Sequence, residues 1–293
     1  MLTIGIIVNA DKDMGFSCTR LFAESILSKG GKVKVTADVA NEIGLCDEKL
    51  NEEAVLDSSD IIVCLGGDGT FLKLARKVYS KGLPMIGINL GSLGFLTEVE
   101  KNDIDNAAAR ILEGRYEIEE RMMLETVILR GTETIARDMA LNDVVISRGA
   151  LSRILHIKTY INDVFVDSFP GDGLIVSSPT GSTGYSLSAG GPIVEPDIDL
   201  MIVTPICPHI LYSRSFITAG DRAVKAFVDE SFSHVAMVTV DGQEGYEVRG
   251  GDMIEVRKAA HTVKLIKINS RNFFNILRSK IYFRGEGLKK DEI

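Results

Sequence analysis

The pattern of apolar residues changes near residue 100, and this change restricts the possible folds more than any other feature of the sequence. Up to about residue 97, short β-rich runs alternate with stretches of helical spacing. After a helical stretch at about 103–113, short strands follow one another with little helix between them. Alternating strands and helices predict a parallel sheet, and successive short strands predict an all-β domain.

We therefore predict a multi-domain α+β protein with two domains. Residues 1–100 form an α/β domain with a doubly wound, Rossmann-like sheet, in which a helix runs from about 70 to 80. Residues 101–269 form a β-rich domain, whose predicted strands include 134–146 and 263–268. The apolar runs of this second domain are short and separated by turn residues, as is typical of antiparallel sheets.

Composition and charge describe a soluble globular protein. Of the 293 residues, 45% are apolar and 25% are charged. The formal net charge of −8 argues against a broad surface for nucleic acid or anionic membranes, because such a surface needs a basic stripe. No apolar run approaches the roughly 20 residues of a membrane span. We therefore expect a cytoplasmic protein that binds neither nucleic acid nor membrane.

The sequence contains no motif for a zinc site or for a common hydrolytic nucleophile. The four cysteines, Cys18, Cys46, Cys64 and Cys207, include no C-x-x-C pair, and we expect them to be buried and reduced. H-E-x-x-H and G-x-S-x-G are also missing from the sequence. Peptidase, esterase and structural-zinc functions therefore have no support.

A glycine-rich turn, G-G-D-G-T, follows a buried strand. Glycines let a phosphate approach the backbone closely, and a threonine suits the N-cap of the next helix, whose N-terminus attracts anions. The turn is neither a Walker A loop nor G-x-G-x-x-G, because position 72 is Leu. The predicted phosphate-binding residues are Gly66, Gly67, Gly69 and Thr70. A tight turn without a ligand stays open as the alternative.

The single carboxylate in this turn, Asp68, needs its own explanation. A carboxylate beside a phosphate is repelled unless it binds a hydroxyl or a metal, or takes up a proton. Asp68 is therefore a candidate for binding a ribose hydroxyl and for general-base catalysis. Asp172 and Asp241 are also set among glycines, and the three carboxylates together fit a site that grips sugar hydroxyls.

Two further polar segments interrupt the apolar runs of the second domain. Asn142 and Asp143 lie within an apparent strand and suggest a bulge that directs side chains at a ligand, although a structural turn is an alternative. The Gly/Ser-rich segment 177–192 offers hydroxyls and backbone N–H groups for a phosphate or ribose, and Tyr185 offers a ring for stacking. A linker would look similar. Taken alone, His209 is a structural hydrogen-bonding residue more often than a catalytic one.

Four motifs occur in an order and at separations that resemble the bacterial NAD kinases. They are G-G-D-G-T at 66–70, N-D at 142–143, S-S-P-T-G-S-T-G-Y-S at 177–186 and P-I-C-P-H at 205–209. G-G-D-G alone is shared with diacylglycerol, sphingosine and 6-phosphofructokinase-like kinases, whereas the other segments are more particular. The resemblance implies that the γ-phosphoryl group of ATP is transferred, with Mg²⁺, to the 2′-hydroxyl of the adenosine ribose of NAD, which gives NADP.

The resemblance also implies roles for individual residues. Asp68 would accept the proton of the 2′-hydroxyl, and Asn142 and Asp143 would hold the adenine and a ribose. The implied NAD-binding residues are Asp68, Gly69, Asn142, Asp143, Arg153, Asp172, Thr183, Gly184, Tyr185, Ser186, Leu187, Ser188 and Gln243. A homodimer or homotetramer is implied as well, and so is the packing of residues 270–293 on the first domain.

Three positions depart from the pattern of the family. Asp143 stands where many members carry Glu, so the carboxylate is kept and its reach changes. Gly184 stands where many members carry Ala. Pro170 stands where some members carry Arg, so a contact to the nicotinamide half is not implied. No residue is assigned to the metal.

Two other functions stay open at this point. A lipid kinase would share G-G-D-G-T and a β-rich second domain, but it should have an apolar or basic membrane-facing surface that this acidic chain does not suggest. A catalytically silent NAD-binding sensor would belong to a different class, and it would not need to retain Asp68 or Asn142. The phosphate donor, whether ATP, another triphosphate or polyphosphate, and the use of NADH are not decided by the sequence.

Overall fold

The computed structural model describes residues 1–45, 50–91, 94–149, 153–210, 212–269 and 272–282. Its strands, in chain order, are β1 (Thr3–Val8), β2 (Lys32–Lys34), β3 (Ile61–Gly66), β4 (Pro84–Asn89), β5 (Val99–Glu100), β6 (Glu117–Arg121), β7 (Leu124–Arg130), β8 (Glu133–Ala140), β9 (Asp143–Arg148), β10 (Leu155–Ile161), β11 (Val164–Gly171), β12 (Gly173–Ser177), β13 (Leu200–Ile206), β14 (Phe216–Ala219), β15 (Val224–Val228), β16 (Ala236–Val240), β17 (Glu244–Val248), β18 (Met253–Lys258) and β19 (Val263–Lys267). Its α-helices are α1 (Ser17–Ser28), α2 (Ala37–Ile43), α3 (Glu52–Asp57), α4 (Asp68–Val78), α5 (Ile104–Leu112), α6 (Tyr185–Ser188) and α7 (Phe273–Tyr282).

The chain divides into two compact units. Unit 1 contains Met1–Glu120 and the chain from Val263 onward, and unit 2 contains Arg121–Thr262. The predicted boundaries were 100 and 269, and the structure assigns the strand predicted at 263–268 to the first unit instead of the second. This strand, β19, joins unit 1 because it pairs in parallel with β4.

Unit 1 is built on a seven-stranded sheet in the order β2-β1-β3-β4-β19-β6, with β5 also paired to β4. Adjacent strands from β2 to β19 along this order run parallel. Ile61 and Val63 of β3 pack in the core that includes α1, α2 and α5. Because successive side chains of a strand point to opposite faces, Gly66 faces the other side, where Thr70 of α4 lies against it. Helices therefore cover both faces, and the predicted doubly wound α/β fold is confirmed.

Unit 2 is an antiparallel β-sandwich. One sheet has the order β11-β10-β15-β18-β7-β8 and the other β14-β13-β12-β9-β16-β17. Both sheets contribute to one apolar core, in which Ile128 and Ile157 of the first pack with Val144 and Val176 of the second. The two sheets bury their apolar faces against each other, which confirms the predicted all-β domain.

One long strand predicted at 134–146 is wrong, because the structure has two strands there. β8 ends at Ala140 and belongs to the first sheet of unit 2, whereas β9 begins at Asp143 and belongs to the second. The chain crosses between the sheets at Leu141 and Asn142, so these residues form a corner and the predicted bulge does not exist. The sequence conceals such a crossing because both strands contribute side chains to the same core, as Ala140 and Val144 do.

The cysteines are less uniformly buried than expected. Cys64 is buried and Cys18 is half-buried, whereas Cys207 is exposed, and Cys46 lies outside the described residues. Cys207 has a positive φ of 44° in the turn that follows β13, which turns it out of the sheet. Within the described ranges no helix is both long enough and apolar enough to cross a membrane.

Candidate active site

The glycine turn lies at the carboxyl end of the parallel sheet of unit 1. β3 ends at Gly66, Gly67 is an extended N-cap with φ −126°, and α4 begins at Asp68. β1 and β3 are neighbours, but the chain continues from β1 to β2 on one side and from β3 to β4 on the other. The turn therefore lies at the point where the strand order reverses, which is where open α/β sheets bind ligands.

The helix begins earlier than predicted, and Thr70 is not its N-cap. Gly67 takes the N-cap position without a side-chain hydrogen bond, so Asp68 lies in the first helical turn. The Thr70 hydroxyl instead accepts a hydrogen bond from Nδ2 of Asn9 at 3.1 Å. Thr70 therefore links α4 to the segment after β1. The carboxylate of Asp68, in the first turn of α4, is favoured by the helix dipole.

The Asp68 carboxylate is held by the backbone of a second loop. The N–H of Phe95 donates to Oδ2 at 2.8 Å, and the N–H of Leu96 donates to Oδ1 at 3.2 Å. A Cβ on Gly94 would lie 1.8 Å from Oδ1 of Asp68, so only glycine fits there. A carboxylate accepts about four hydrogen bonds, so two N–H donors fix its orientation and leave capacity for a hydroxyl.

A lysine that the sequence analysis did not single out lies beside the turn. Lys12 is exposed, and its Nζ lies 2.7 Å from the position that a Cβ on Gly67 would occupy. The next residue, Asp13, is buried and accepts hydrogen bonds from the N–H of Thr19 at 2.8 Å and from its hydroxyl at 2.7 Å. Asp13 thus anchors the loop that carries Lys12. No sequence motif marks Lys12, because a lysine between two aspartates is usually a solvated residue.

The buried thiol beneath the turn is not a nucleophile. Burial and the negative charge of Asp68 raise the pKa of Cys64 to about 12, while Lys12 opposes the shift. The thiol therefore stays protonated at neutral pH.

The corner between β8 and β9 in unit 2 is built on Asp241. Its carboxylate accepts hydrogen bonds from three consecutive backbone N–H groups, those of Leu141 at 2.8 Å, Asn142 at 2.7 Å and Asp143 at 3.1 Å. Asp241 itself lies in the β16–β17 turn with a positive φ of 51°. Three of the roughly four acceptor positions of this carboxylate are used by the backbone, so Asp241 shapes the corner.

Asn142 and Asp143 place polar atoms close to Gly184, on the side where another residue would carry its side chain. Oδ1 of Asn142 is buried and has no hydrogen-bond partner in this part of the described chain. Nδ2 of Asn142 and Oδ2 of Asp143 lie 3.5 Å and 3.6 Å from the position of a Cβ on Gly184. A buried, unpaired amide oxygen is unusual in folded proteins and is expected where a ligand supplies the missing donor.

The Asp143 carboxyl titrates far from its ordinary range. Burial, and next the charge of Asp241, raise its pKa to about 7, although the N–H of Tyr185 donates to it and opposes the shift. The group therefore holds a proton in the folded state between about pH 4 and pH 7, where the unfolded chain has lost it. The favourable contribution of this raised pKa to the free energy of unfolding is fully present below about pH 4 and is lost as the pH rises through 7.

We expect Asp143→Asn to flatten the pH dependence of stability. Between pH 5 and pH 8 the wild-type chain should lose on the order of 2 kcal/mol more unfolding free energy than the variant, because the variant has no proton to release. Urea unfolding at both pH values measures this difference. The exposed Asp197→Asn is the matched control and should follow the wild type. An unchanged pH dependence in Asp143→Asn would contradict the raised pKa.

The Gly/Ser-rich segment is folded, so the linker alternative is wrong. Residues Thr180–Thr183 form a 3-10 turn and Tyr185–Ser188 a single helical turn. Ser182 is buried and donates to the carbonyl of Val194 at 3.1 Å, and the Ser186 hydroxyl lies 3.2 Å from that of Thr204. Tyr185 is 48% exposed, and its ring is accessible to a stacking partner. The hydroxyl of Ser186 is engaged within the fold, so any contact to a ligand would use its backbone.

Asp172 lies at the other end of the same strands. Oδ1 of Asp172 pairs with Nε of Arg148 at 2.7 Å, and the N–H of His209 donates to the carbonyl of Pro170 at 2.7 Å. Residues 170–172 and P-I-C-P-H are therefore neighbours. Arg148 ends β9 and Asp143 begins it, so the two clusters are roughly 17 Å apart at about 3.4 Å per residue.

The other predicted residues of unit 2 are more dispersed. Arg153 is exposed just before β10, and Gln243 is exposed in the β16–β17 turn, where its N–H donates to the carbonyl of Val240 at 2.9 Å. Thr183 and Leu187 are half-buried, and Ser188 is exposed. In unit 1, Gly69 is exposed in the first turn of α4. Among the described residues, no three His, Cys, Asp or Glu side chains are grouped to hold a metal.

The fold and these clusters define a class of protein: a two-unit protein whose parallel α/β sheet carries, at its switch point, a glycine turn with one oriented carboxylate, and whose second unit is a β-sandwich. Two models of known protein families match most of the chain. The ATP-NAD kinase N-terminal domain matches residues 4–116, and the ATP-NAD kinase C-terminal domain matches residues 141–268. The chain belongs to the ATP-NAD kinase family.

Individual relatives are similar over their full length. The chain is 60% identical over 289 residues to the NAD kinase of Acetivibrio thermocellus, which covers 99% of this chain and 100% of the relative. It is 53% identical over 287 residues to the NAD kinase of Ruminiclostridium cellulolyticum, with 98% and 100% covered. These matches favour the NAD kinase prediction over the lipid-kinase alternative.

Two solved structures share the fold. Yeast NADH kinase complexed with NADH has a TM-score of 0.87 and 22% identity, with 98% of this chain and 89% of that chain covered. An NAD kinase from Archaeoglobus fulgidus in complex with ATP has a TM-score of 0.76 and 23% identity, with 98% and 100% covered. At these identities the likeness concerns the fold alone.

Proposed function

We propose that the chain is an NAD kinase that transfers the γ-phosphoryl group of ATP to the 2′-hydroxyl of the adenosine ribose of NAD, which gives NADP. The observation that carries the proposal is the Asp68 carboxylate, held by the N–H groups of Phe95 and Leu96 at a phosphate-type turn. A carboxylate in this place suits a hydroxyl nucleophile. Membership of the ATP-NAD kinase family supports the choice of NAD as the acceptor.

In this mechanism Asp68 orients the 2′-hydroxyl and accepts its proton late in the transfer. The backbone of Gly66, Gly67 and Gly69, with the hydroxyl of Thr70 nearby, faces the phosphates. Phosphoryl transfer depends mainly on positioning and on neutralising charge, because the transition state is loose. An N–H pair that fixes the base therefore contributes directly to the rate.

Mg²⁺ fits the site only as a companion of ATP. The described residues offer no cage of three ligands, and Mg²⁺ commonly binds through one or two carboxylates and substrate phosphates. Asp68 is the one carboxylate of the turn. When bound, the ion would neutralise the charge of the β- and γ-phosphates.

The dinucleotide is assigned to unit 2. The unpaired Oδ1 of Asn142 would accept from the adenine amino group, Asp143 would bind a ribose hydroxyl, and the exposed ring of Tyr185 would stack on the base. The remaining assigned contacts are Gly69, Arg153, Asp172, Thr183, Gly184, Ser186, Leu187, Ser188 and Gln243.

We further propose a cytoplasmic homodimer or homotetramer. The Asp143 and Asp172 clusters lie at opposite ends of β9, which supports the idea that a second copy contributes one of them to each site. Sedimentation of the purified chain at several concentrations measures the oligomeric state. A monomer that is fully active would contradict this part of the proposal.

A coupled assay tests the reaction. Purified chain is mixed with Mg-ATP and NAD, and NADP is measured with an NADP-specific dehydrogenase, with ³¹P spectra to confirm a 2′-phosphate. Replacing ATP by other triphosphates or polyphosphate, and NAD by NADH, defines the substrate range. If folded chain binds NAD but forms no NADP with any donor, the sensor alternative replaces the proposal.

We expect Lys12→Met to raise KM for ATP and to lower kcat/KM for ATP about tenfold or more, because an ammonium beside the Gly67 backbone would bind the polyphosphate. Lys12→Arg should retain most activity, and the defect of Lys12→Met should shrink at high salt. The exposed Lys32→Met, also in unit 1, is the matched control. Unchanged kinetics with ATP in Lys12→Met would remove Lys12 from the site.

A further inference from the structure

The helix near the end of the chain contacts the loop that holds Asp68. The ring centroid of Phe273 in α7 lies 6.4 Å from that of Phe95. From the other end of α7, Nζ of Lys280 lies 4.6 Å from the centroid of the same Phe95 ring. Of the two hydrogen bonds that Asp68 accepts, the one from the backbone N–H of Phe95 is the shorter, at 2.8 Å. One residue thus joins α7 to the carboxylate.

The loop has little regular structure of its own to fix this N–H. Residues 94–98 precede β5 and belong to no helix, and the N–H of Gly94 bonds to the Thr97 hydroxyl only at 3.3 Å. The side chain of Phe95 is half-buried, and Phe273 and Lys280 are two of the side chains that contact it. Contacts of one ring with a second ring and with an ammonium depend on direction, so together they resist rotation of the loop.

A second contact holds the chain just before α7 to the same loop. The buried Glu98 accepts from the N–H of Asn269 at 2.7 Å and from that of Ile268 at 3.2 Å. Lys267 also pairs with Glu98, at 2.5 Å. Residues 267–269 are therefore held at Glu98, and α7 is held at Phe95.

We infer that α7 is a positioning element for the reaction, in which Phe273 and Lys280 hold Phe95 and thereby hold the N–H that orients Asp68. This inference rests on the proposed role of Asp68 as proton acceptor and extends it to residues far away in the sequence. Among the residues that the structure describes, no hydrogen bond or ion pair joins Phe273 or Lys280 to Asp68. Their effect should therefore fall on the rate of the bound complex and not on the affinity for either substrate.

The test compares two variants of the full chain with controls on the same helix. Phe273→Ala is expected to lower kcat about tenfold and Lys280→Met about threefold, with KM for NAD and ATP changed less than about twofold, because misplacement of a catalytic group acts on the chemical step. Phe273→Tyr keeps the ring and should restore kcat. Arg278→Met removes an exposed cation from α7 and should have no effect.

Coupling and amide exchange separate positioning from a general loss of stability. Phe273→Ala should add nothing to the defect of Phe95→Ala, since both break one contact. Hydrogen exchange of the peptide that contains Phe95 and Leu96 should accelerate in Phe273→Ala and stay normal in Phe273→Tyr. A lower melting temperature with normal kcat, or a change confined to KM, would overturn the inference.

The exchange measurement also keeps this inference distinct from the proposed function. If the wild-type chain forms no NADP, the proposed function fails on its own. Unchanged exchange at Phe95 and Leu96 in Phe273→Ala would then overturn the contact argument independently of any activity, whereas faster exchange would support it.

Discussion

Replacing Asp68 by Asn is expected to lower kcat for NADP formation by about 10³-fold while NAD still binds. General-base catalysis typically contributes about 10²–10⁴-fold, and an amide cannot accept the proton. The site also disfavours the Asn side chain directly, because the two groups that contact residue 68, the N–H groups of Phe95 and Leu96, are both donors. The NH₂ group of Asn must face one of them and lose that hydrogen bond.

Single-turnover kinetics and calorimetry measure the two halves of this prediction. Affinity for NAD should stay within a few fold of the wild type, because most of the assigned contacts to NAD lie in unit 2. Asp68→Glu is a useful companion, since it keeps the charge and moves the oxygens. Turnover near the wild-type value in Asp68→Asn would remove Asp68 from the role of base.

Gly94→Ala is expected to reduce kcat by about 10²-fold or more although no charged group is changed. The added Cβ would lie 1.8 Å from Oδ1 of Asp68 and 2.7 Å from Oγ1 of Thr97, so the carboxylate or the loop must move. A shift of about 1 Å in a catalytic group can lower the rate about 10²-fold. The loss should appear in kcat and leave KM for ATP nearly unchanged.

Gly91→Ala is the matched control for this variant. Gly91 lies in the same connection after β4, and a Cβ there would meet nothing within 4 Å. Both variants should be compared by steady-state kinetics and by thermal unfolding. If Gly94→Ala and Gly91→Ala behave alike, the fit of Asp68 against residue 94 has no catalytic importance.

The architecture could be predicted from the sequence because the spacing of apolar residues differs between the two units. Alternating strands and helices predicted the parallel sheet of unit 1, and successive short apolar runs predicted the antiparallel sheets of unit 2. The strand β19 was placed in the wrong unit, since a short apolar strand carries no information about which sheet it joins. That choice is made by long-range pairing with β4.

The candidate site was predicted only where its residues form local motifs. Asp68 and Asn142 stand out because a polar group interrupts an apolar run. Lys12 and Phe95 do not, because a lysine in a charged loop and a phenylalanine in an apolar segment are ordinary. Their importance arises from contacts with residues distant in the sequence, such as Gly67 and Phe273.

The position of β19 bears on how the protein folds. Its register pairs Lys264 with Pro84, so the sheet that carries the Asp68 turn contains two neighbouring strands that are far apart in sequence. Bringing β19 to β4 closes a loop that contains all of unit 2, which costs chain entropy and is slow. Unit 2 needs no such closure, because it is continuous in sequence. The β-sandwich can therefore form from one uninterrupted segment, whereas the sheet of unit 1 is completed only when β19 returns to β4 after the whole of unit 2. A chain that stops before β19 should fold unit 2 and leave the sheet behind the Asp68 turn incomplete.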